Sequence, residues 1–168
     1  MTEPPLWVVT NWDAFQEKFP NSKLIITLDH TLLTEYLDER SETELIAMLA
    51  KTMLIIKKRY KALIIILGQL NDNIESEGRI NNPTQHYPKK SDIFSSRQVY
   101  QMADNVIIVH RPERLGIQAY GKESFPTEDL FALHILKSRF QGTEGLIRFR
   151  QDFNKGTMIY PYTRIKIK

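Results

Sequence analysis

Two nearly continuous apolar runs are the feature that most constrains the fold of this 168-residue chain. Each run ends in a polar side chain: Leu24–Leu28 is followed by Asp29, and Ala62–Gly68 is followed by Gln69. Runs without alternation predict strands that are buried on both faces, as in a parallel sheet. Ligands of open parallel sheets bind beyond the carboxyl ends of the strands, so an acid and an amide at two such ends suggest a nucleotide site.

Composition narrows the class of protein. A chain of 19.7 kDa predicts one domain with a real core. A net charge of +3 permits contact with nucleic acid without requiring it. The chain has no cysteine, which excludes disulfides and thiolate metal sites. The apolar runs are too short to span a membrane, and the start of the chain is unlike a secretory signal, so we expect a cytoplasmic protein with no membrane partner.

The first part of the chain predicts a strand–helix–strand unit. Ser41–Glu44 fits a capping box, the apolar residues from Leu45 to Ile56 follow at helical spacing, and three basic residues, 57–59, lie near the predicted helix end. The helix lies between the two apolar strands, which favours a right-handed crossover. Before this unit, we predict a strand at Trp7–Val9 and a helix capped by Asn11, with Trp12, Phe15 and Phe19 on one face.

The rest of the chain alternates between polar and apolar segments. Residues 71–91 are polar and contain glycine and proline, which predicts a long loop of the kind that is usually functional. The elements predicted after it are a short helix at 96–103, a strand at 106–109, an irregular stretch at 111–129, a strand at 130–136, a hairpin partner at 146–150, a further turn and a frayed end from Arg164.

Asp29 and Gln69 are the first candidates for chemistry. Asp29 could hold Mg²⁺ through water beside nucleotide phosphates, or it could simply start a turn. Gln69 could sense a terminal phosphate or orient water, because an amide donates and accepts hydrogen bonds at once. Alone, Gln69 is more simply a polar residue at a strand end.

Basic residues form a second group of candidates. Lys137 and Arg139 follow a strand at alternate positions and should point the same way, so they could bind phosphate held by a neighbouring subunit, as an arginine finger does. The alternative is a solvated hairpin edge. Arg79, Lys89 and Lys90 lie in the long loop and could neutralise DNA phosphates, although a solvated loop is equally compatible with the sequence.

Two kinds of motif are absent. The four histidines have no spacing typical of metal ligands, and we expect His134 to be a packing residue. Neither GxxxxGK[ST] nor GxGxxG occurs, so the chain has no recognisable phosphate cradle.

Five short motifs in series carry a family resemblance. The motifs are Gly68-Gln69-Leu70-Asn71, Ser91-Asp92-Ile93-Phe94, Tyr100-Gln101-Met102-Ala103-Asp104, His110-Arg111-Pro112-Glu113 and Lys137-Ser138-Arg139. Their order and spacing, from about Leu24 to Phe149, resemble the motor domain of DnaB-type replicative helicases. Those motors typically contain SQLN, SDLRES, EQDAD, YRPE and KxRNG.

The resemblance implies a RecA-like α/β fold: a mainly parallel sheet flanked by helices, followed by a C-terminal antiparallel hairpin. It also implies hexameric rings, ATP and Mg²⁺ between subunits, and single-stranded DNA in the central channel. By position, Asp29 would be the Walker B acid and Gln69 the γ-phosphate sensor. Lys137 and Arg139 would reach the neighbouring subunit's nucleotide, and loop 71–91 would face DNA.

The missing Walker A loop shapes the hypothesis. We expect residues 1–168 to be the carboxyl-terminal part of a helicase motor that lacks the central P-loop strand, with weak or absent ATP binding and no ATP hydrolysis of its own. Without that strand, the strands that end at Gln69 and Val109 should be unpaired or closed on each other. The alternatives are a non-catalytic helicase-derived module that binds DNA or docks on a ring, and a different nucleotide-binding domain with a diverged phosphate loop.

Overall fold

The computed structural model describes residues 6–29, 42–93, 97–140, 142, 144–152 and 158–165. The chain divides into two compact units, residues 1–69 with 95–102 and residues 70–94 with 103–168. In chain order the helices and strands are α1 (Leu6–Lys18), β1 (Ile25–Leu28), α2 (Glu42–Tyr60), β2 (Leu63–Ile66), α3 (Glu77–Ile80), α4 (Arg97–Met102), β3 (Asn105–His110), β4 (Ala119–Tyr120), β5 (Phe125–Pro126), β6 (Leu130–Ser138), β7 (Gly145–Asp152) and β8 (Met158–Ile165).

The first unit contains the predicted strand–helix–strand arrangement. Strands β1 and β2 pair in parallel, with Ile25 opposite Leu63 and Leu28 opposite Ile66. Helix α2 connects them along the chain and packs against β2 and α4, and its buried residues include Ile46. The helix is therefore confirmed, whereas the capping residue predicted for it, Ser41, lies outside the described residues.

The burial of these two strands differs from the prediction. Side chains of β1 and β2 alternate between exposed and half-buried, and Ile25 and Leu63 are 59% and 55% exposed. The expectation that both faces are buried is therefore wrong for this chain. A two-stranded sheet with one crossover helix can cover only one of its faces, so the other keeps its apolar side chains in solvent.

Helix α1 replaces the strand predicted at Trp7–Val9. The reason is visible in the spacing, because Val8 extends the stripe of Trp12, Phe15 and Phe19 backwards by four residues. Asn11 consequently lies within the helix and does not cap it. The Trp12 and Phe15 ring centroids are 5.8 Å apart, and those of Phe15 and Phe19 are 4.8 Å apart, so the predicted aromatic face exists.

The second unit is built on an antiparallel sheet in the order β3-β6-β7-β8. The C-terminal hairpin of β6 and β7 is confirmed, but the larger sheet is not parallel as predicted, and β3 belongs to it rather than to the sheet of β2. Strand β8 continues to Ile165, so the end predicted to fray at Arg164 is paired up to that point. The core of this unit consists of Ile117, Tyr120, Leu130, Ala132 and Leu146.

The segment between β2 and α4 is more regular than the long loop that was predicted. Its described residues, 67–93, contain α3 and three short 3-10 turns, and an isolated bridge between Leu70 and Ile93 brings the two ends of this stretch together. Asn71 and Asn82 each accept a hydrogen bond from a backbone amide two residues later, at 3.2 and 3.0 Å. Such local bonds to asparagine start short turns, which is why a polar sequence without periodicity forms ordered structure here.

Candidate functional site

The carboxyl ends of β1 and β2 place Asp29 and Gln69 at one edge of the first unit. The Leu67 amide donates to the Leu28 carbonyl at 2.9 Å, so the parallel register continues to the residue before Asp29. Both Asp29 and Gln69 are exposed to solvent. Open α/β folds bind ligands beyond the carboxyl edge of the sheet, so this edge is the candidate site.

A second group of charges gathers in the other unit, where β6 leaves the sheet. The Arg139 guanidinium donates to Asp104 Oδ1 at 3.0 Å, and the Arg139 amide donates to the Asp104 carbonyl at 2.9 Å. Lys137 lies opposite Val106 in the sheet, two residues before Arg139. Asp104, which the sequence analysis did not select as a site residue, therefore lies beside the predicted pair of cations and forms an ion pair with one of them, Arg139.

A β-bulge precedes these cations. Val106 pairs with Lys137, whereas Ile107 pairs with Ile135, so Leu136 is an extra residue on β6. A bulge shifts the alternation of side chains by one position and re-aims those that follow it. The bulge thus changes the face on which Lys137 lies relative to Ile135, but it does not come between Lys137 and Arg139, so their expected common direction stays a prediction.

Lys90 belongs to the same electrostatic neighbourhood. Burial and the positive charge of Arg139 lower the pKa of Lys137, Asp104 opposes this shift, and Lys90 adds to it. The sequence made Lys90 a candidate for contact with DNA phosphates, and in the structure its charge also acts on Lys137. The three cations and the one carboxylate together carry a net charge of +2, which favours the approach of an anion.

Arg79 has a different environment from Lys89 and Lys90. Its guanidinium forms an ion pair with Asp92 at 2.6 Å and donates to the carbonyls of Gln85 and Tyr87 at 3.1 and 3.0 Å. The side chain of Arg79 is only 11% exposed. Its donors are therefore occupied inside the segment, and the DNA contact predicted for it is not supported, whereas Lys89 and Lys90 are both exposed.

A buried chain of ring groups lies in the core of the second unit. The Tyr120 hydroxyl is 2.8 Å from His110 Nδ1 and 2.7 Å from His134 Nε2. Because a hydroxyl has one proton, it donates to one imidazole and accepts from the other. His110 Nε2 and His134 Nδ1 are buried and make no hydrogen bond to the described residues.

The titration of these groups follows from their burial. Burial lowers the pKa of His110 to about 4, with smaller effects from nearby charges, among them Arg79. Burial likewise lowers the pKa of His134 to about 3, and His110 adds to the shift. Burial raises the pKa of Tyr120. All three groups are therefore neutral at pH 7, and His134, which is fully buried, is a packing residue as predicted.

His86 connects segment 71–91 to the turn after β4. The Gly121 amide donates to His86 Nδ1 at 3.1 Å, so the ring proton is on Nε2, which donates to the Ile80 carbonyl at 2.9 Å. The four histidines are scattered in the sequence; the pairing of β3 with β6 brings His110 and His134 to Tyr120, and segment 71–91 adds His86. No local spacing could have predicted this cluster.

The residues present fit only part of a nucleotide site. Asp29 and Gln69 supply oxygen and amide groups at the edge of a parallel sheet, which suits a hydrated Mg²⁺ and a phosphate oxygen. Nothing in the sequence supplies the glycine-rich cradle. Among the described residues, no group of three or more histidine, aspartate or glutamate side chains could hold a metal ion directly.

The family of the chain follows from comparison with known proteins. The profile of the DnaB-like helicase C terminal domain matches residues 13–158. The chain therefore belongs to this family, as its sequence motifs had suggested. A search of curated proteins finds no match.

Solved structures show the same fold. One of them, the structure of an ATPase domain, superposes with a TM-score of 0.68 at 17% sequence identity over 99% of this chain. A DnaB-like replicative helicase, solved to show its interactions with primase, superposes with a TM-score of 0.67 at 18% identity over 89% of this chain. The chain spans 52% of the first of these proteins and 34% of the second.

No helix in the described part of the chain combines the length and the apolar character that crossing a membrane requires.

Proposed function

We propose that this chain acts as the carboxyl-terminal part of a DnaB-like, ATP-driven DNA helicase motor. In this proposal Asp29 binds hydrated Mg²⁺ and Gln69 faces the γ-phosphate of the same nucleotide. Lys137 and Arg139 reach the nucleotide of a neighbouring copy in a hexameric ring, which moves on single-stranded DNA. Bound ATP would supply the free energy of γ-phosphate cleavage, and the residues named here would orient and sense its phosphates.

One observation carries the proposal: in a chain of this family, the parallel register of β1 and β2 brings Asp29 and Gln69 to the same edge. If the two residues lay at opposite ends, they could not face one triphosphate. The absence of GxxxxGK[ST] adds a consequence, because Asp29 and Gln69 alone give weak affinity and no catalysis. The chain by itself should therefore not hydrolyse ATP.

Paramagnetic broadening by Mn²⁺–ATP tests this arrangement directly. In NMR spectra of the full ¹⁵N-labelled chain, millimolar Mn²⁺–ATP should broaden the amide signals around Asp29 and Gln69 together, because one ion lies near both strand ends. Asp29→Asn should remove both effects. Asp13→Asn, which changes an exposed acid on α1, is the matched control and should leave the broadening unchanged.

The outcome against the proposal is equally specific. Broadening near Asp29 without any near Gln69 would mean that the two groups do not share a ligand. Broadening that survives Asp29→Asn would place the metal elsewhere. Measurable hydrolysis of ATP by the pure chain would contradict the prediction that Asp29 and Gln69, without a glycine-rich cradle, give no catalysis.

A second candidate function is a non-catalytic module that binds single-stranded DNA. Lys89 and Lys90 favour it, since both are exposed and adjacent on a segment whose shape is held by Arg79 and Asp92. Contacts to phosphate release counterions, so the affinity of such a module falls steeply with salt. The family match argues against the remaining possibility of an unrelated nucleotide-binding domain.

Salt titration of oligothymidine binding tests the DNA contact on which the second candidate depends. Lys89→Ala should weaken binding and reduce the slope of log K against log salt by roughly one, as expected for one lost phosphate contact. Lys122→Ala changes an exposed lysine of the same unit and is the control. Equal effects of both substitutions would mean that only the net charge of the chain matters.

A further inference from the structure

The Asp104–Arg139 pair is built from two contacts of different kinds. The backbone contact, 2.9 Å from the Arg139 amide to the Asp104 carbonyl, fixes where the chain leaves β6. The side-chain contact, 3.0 Å from the guanidinium to Asp104 Oδ1, fixes where the charge of Arg139 is held. The residues are 35 positions apart in sequence, so this contact depends on the pairing of β3 with β6.

The two partners differ in exposure. The Arg139 side chain is 50% exposed, whereas that of Asp104 is 17% exposed. An ion pair whose cation is half in solvent is weak and readily exchanged. The carboxylate is the fixed member of the pair, and the guanidinium is the member that can turn towards an incoming anion.

The surroundings of Arg139 favour an anion of high charge. Lys137 lies two residues away, after a bulge, and Lys90 acts on it electrostatically. A triphosphate can accept hydrogen bonds from a guanidinium and two ammonium groups at once, whereas Asp104 offers a single carboxylate. A triphosphate is therefore the stronger partner for Arg139 when it is present.

We propose that Asp104 is a positioning residue that holds Arg139 in an ion pair until a nucleotide phosphate displaces its carboxylate. The inference deepens the proposed function and rests on it, because it adds regulation to the phosphate contact assigned to Lys137 and Arg139. In the absence of nucleotide, the Asp104 carboxylate holds the Arg139 guanidinium in place. When nucleotide binds, the carboxylate and the phosphate compete for the guanidinium.

Inorganic triphosphate is the probe that tests the exchange on the full chain. Asp104→Asn preserves the shape of the side chain and removes the competing charge, so triphosphate should bind roughly fivefold more tightly than to the wild type. A residue with a merely structural role would not cause a gain in affinity when replaced. In spectra of the arginine side chains, the Arg139 Nε–H signal should shift on titration in both proteins.

Two controls isolate the mechanism. Glu113→Gln removes an exposed negative charge from the same unit and should leave the affinity unchanged. In a chain that already contains Arg139→Gln, Asp104→Asn should tighten binding much less than in the wild type, because the ion pair has been broken in advance and only the charge effect of Asp104 on Lys137 remains.

The failures of the two proposals can be told apart. If triphosphate binding depends on Lys137 but Asp104→Asn does not tighten it, the displacement of Asp104 is wrong and the phosphate contact stands. If Asp104→Asn and Glu113→Gln tighten binding equally, the displacement is also wrong, since only net charge matters. If triphosphate binds to none of the proteins, the phosphate contact assigned to Lys137 and Arg139 is wrong as well.

Discussion

Arg79 and Asp92 form a 2.6 Å ion pair that is almost fully removed from solvent, with side-chain exposures of 11% and 3%. The remaining carboxylate oxygen of Asp92 accepts a hydrogen bond from the Lys89 amide at 2.6 Å, and the Asp92 carbonyl accepts one from the Asn71 amide at 2.7 Å. Through these bonds Asp92 connects Asn71 at the start of segment 71–91 with Lys89 near its end, and the ion pair ties both to Arg79 in the middle.

Removing one member of this pair should be costly. Arg79→Ala leaves the Asp92 carboxylate buried without its counterion, and we expect the free energy of unfolding to fall by about 3 to 5 kcal/mol. Urea denaturation followed by circular dichroism would measure the change. Arg114→Ala, at an exposed arginine of the same unit, should change stability by less than about 0.5 kcal/mol. Equal effects of the two substitutions would show that the buried pair contributes nothing specific.

The local elements could be predicted from sequence because their signals are local. Helix α2 has a long run of apolar residues at helical spacing, and β1 and β2 are short apolar runs bounded by polar residues. The edge shared by Asp29 and Gln69 follows from the same signals, since a helix between two strands favours parallel pairing. Strand burial was predicted wrongly because an apolar run does not reveal how many layers cover it.

Contacts between distant residues could not be predicted in this way. Tyr120 meets residues 10 and 14 positions away, and Asp104 meets a residue 35 positions away. These contacts exist only because β3 and β6 pair with a particular register, including the bulge at Leu136. Nothing in the composition of either strand sets that register uniquely, so the contacts of Asp104 and Tyr120 became visible only in the fold.

The buried histidines should make the protein sensitive to acid. The folded-state pKa values of His110 and His134, about 4 and about 3, lie below the ordinary value of 6.5 that applies to the unfolded chain. Below pH 6.5 the unfolded chain therefore binds protons that the folded chain does not, and stability falls as the pH falls. The loss should accumulate at roughly 1 kcal/mol per histidine for each pH unit until the folded-state pKa values are reached.

Denaturation in urea between pH 7 and pH 5 measures this loss, in a range where most carboxylates keep their charge. His134→Leu removes one of the two titrating groups, so its stability should depend on pH about half as steeply as that of the wild type over the same range. The comparison concerns the slope, and a lower overall stability of the variant does not affect it. An unchanged slope in His134→Leu would contradict the assignment.

Gly121 and Gly116 provide a matched pair of substitutions. Both have positive φ angles, +72° and +73°, so replacement by alanine strains the backbone equally at the two sites. A Cβ atom at Gly121 would come within 2.7 Å of the Tyr87 ring, whereas one at Gly116 would meet nothing within 4 Å. Gly116→Ala should cost about 1 kcal/mol, and Gly121→Ala should cost about 1 to 3 kcal/mol more. Equal losses in thermal unfolding would mean that Tyr87 moves aside freely.

The exposed apolar side chains of β2 should promote self-association of the chain. Leu63 and Ile65 are 55% and 41% exposed on alternate positions of a strand that, among the described residues, pairs only with β1. A strand with an open edge and apolar side chains readily pairs with another chain. Ile65→Lys should therefore lower the average mass measured by sedimentation at high protein concentration. Ile55→Lys is the control, because Ile55 is 51% exposed but lies on α2, where no backbone edge is available for pairing. If both substitutions reduce association equally, general hydrophobicity and not the strand edge is its cause.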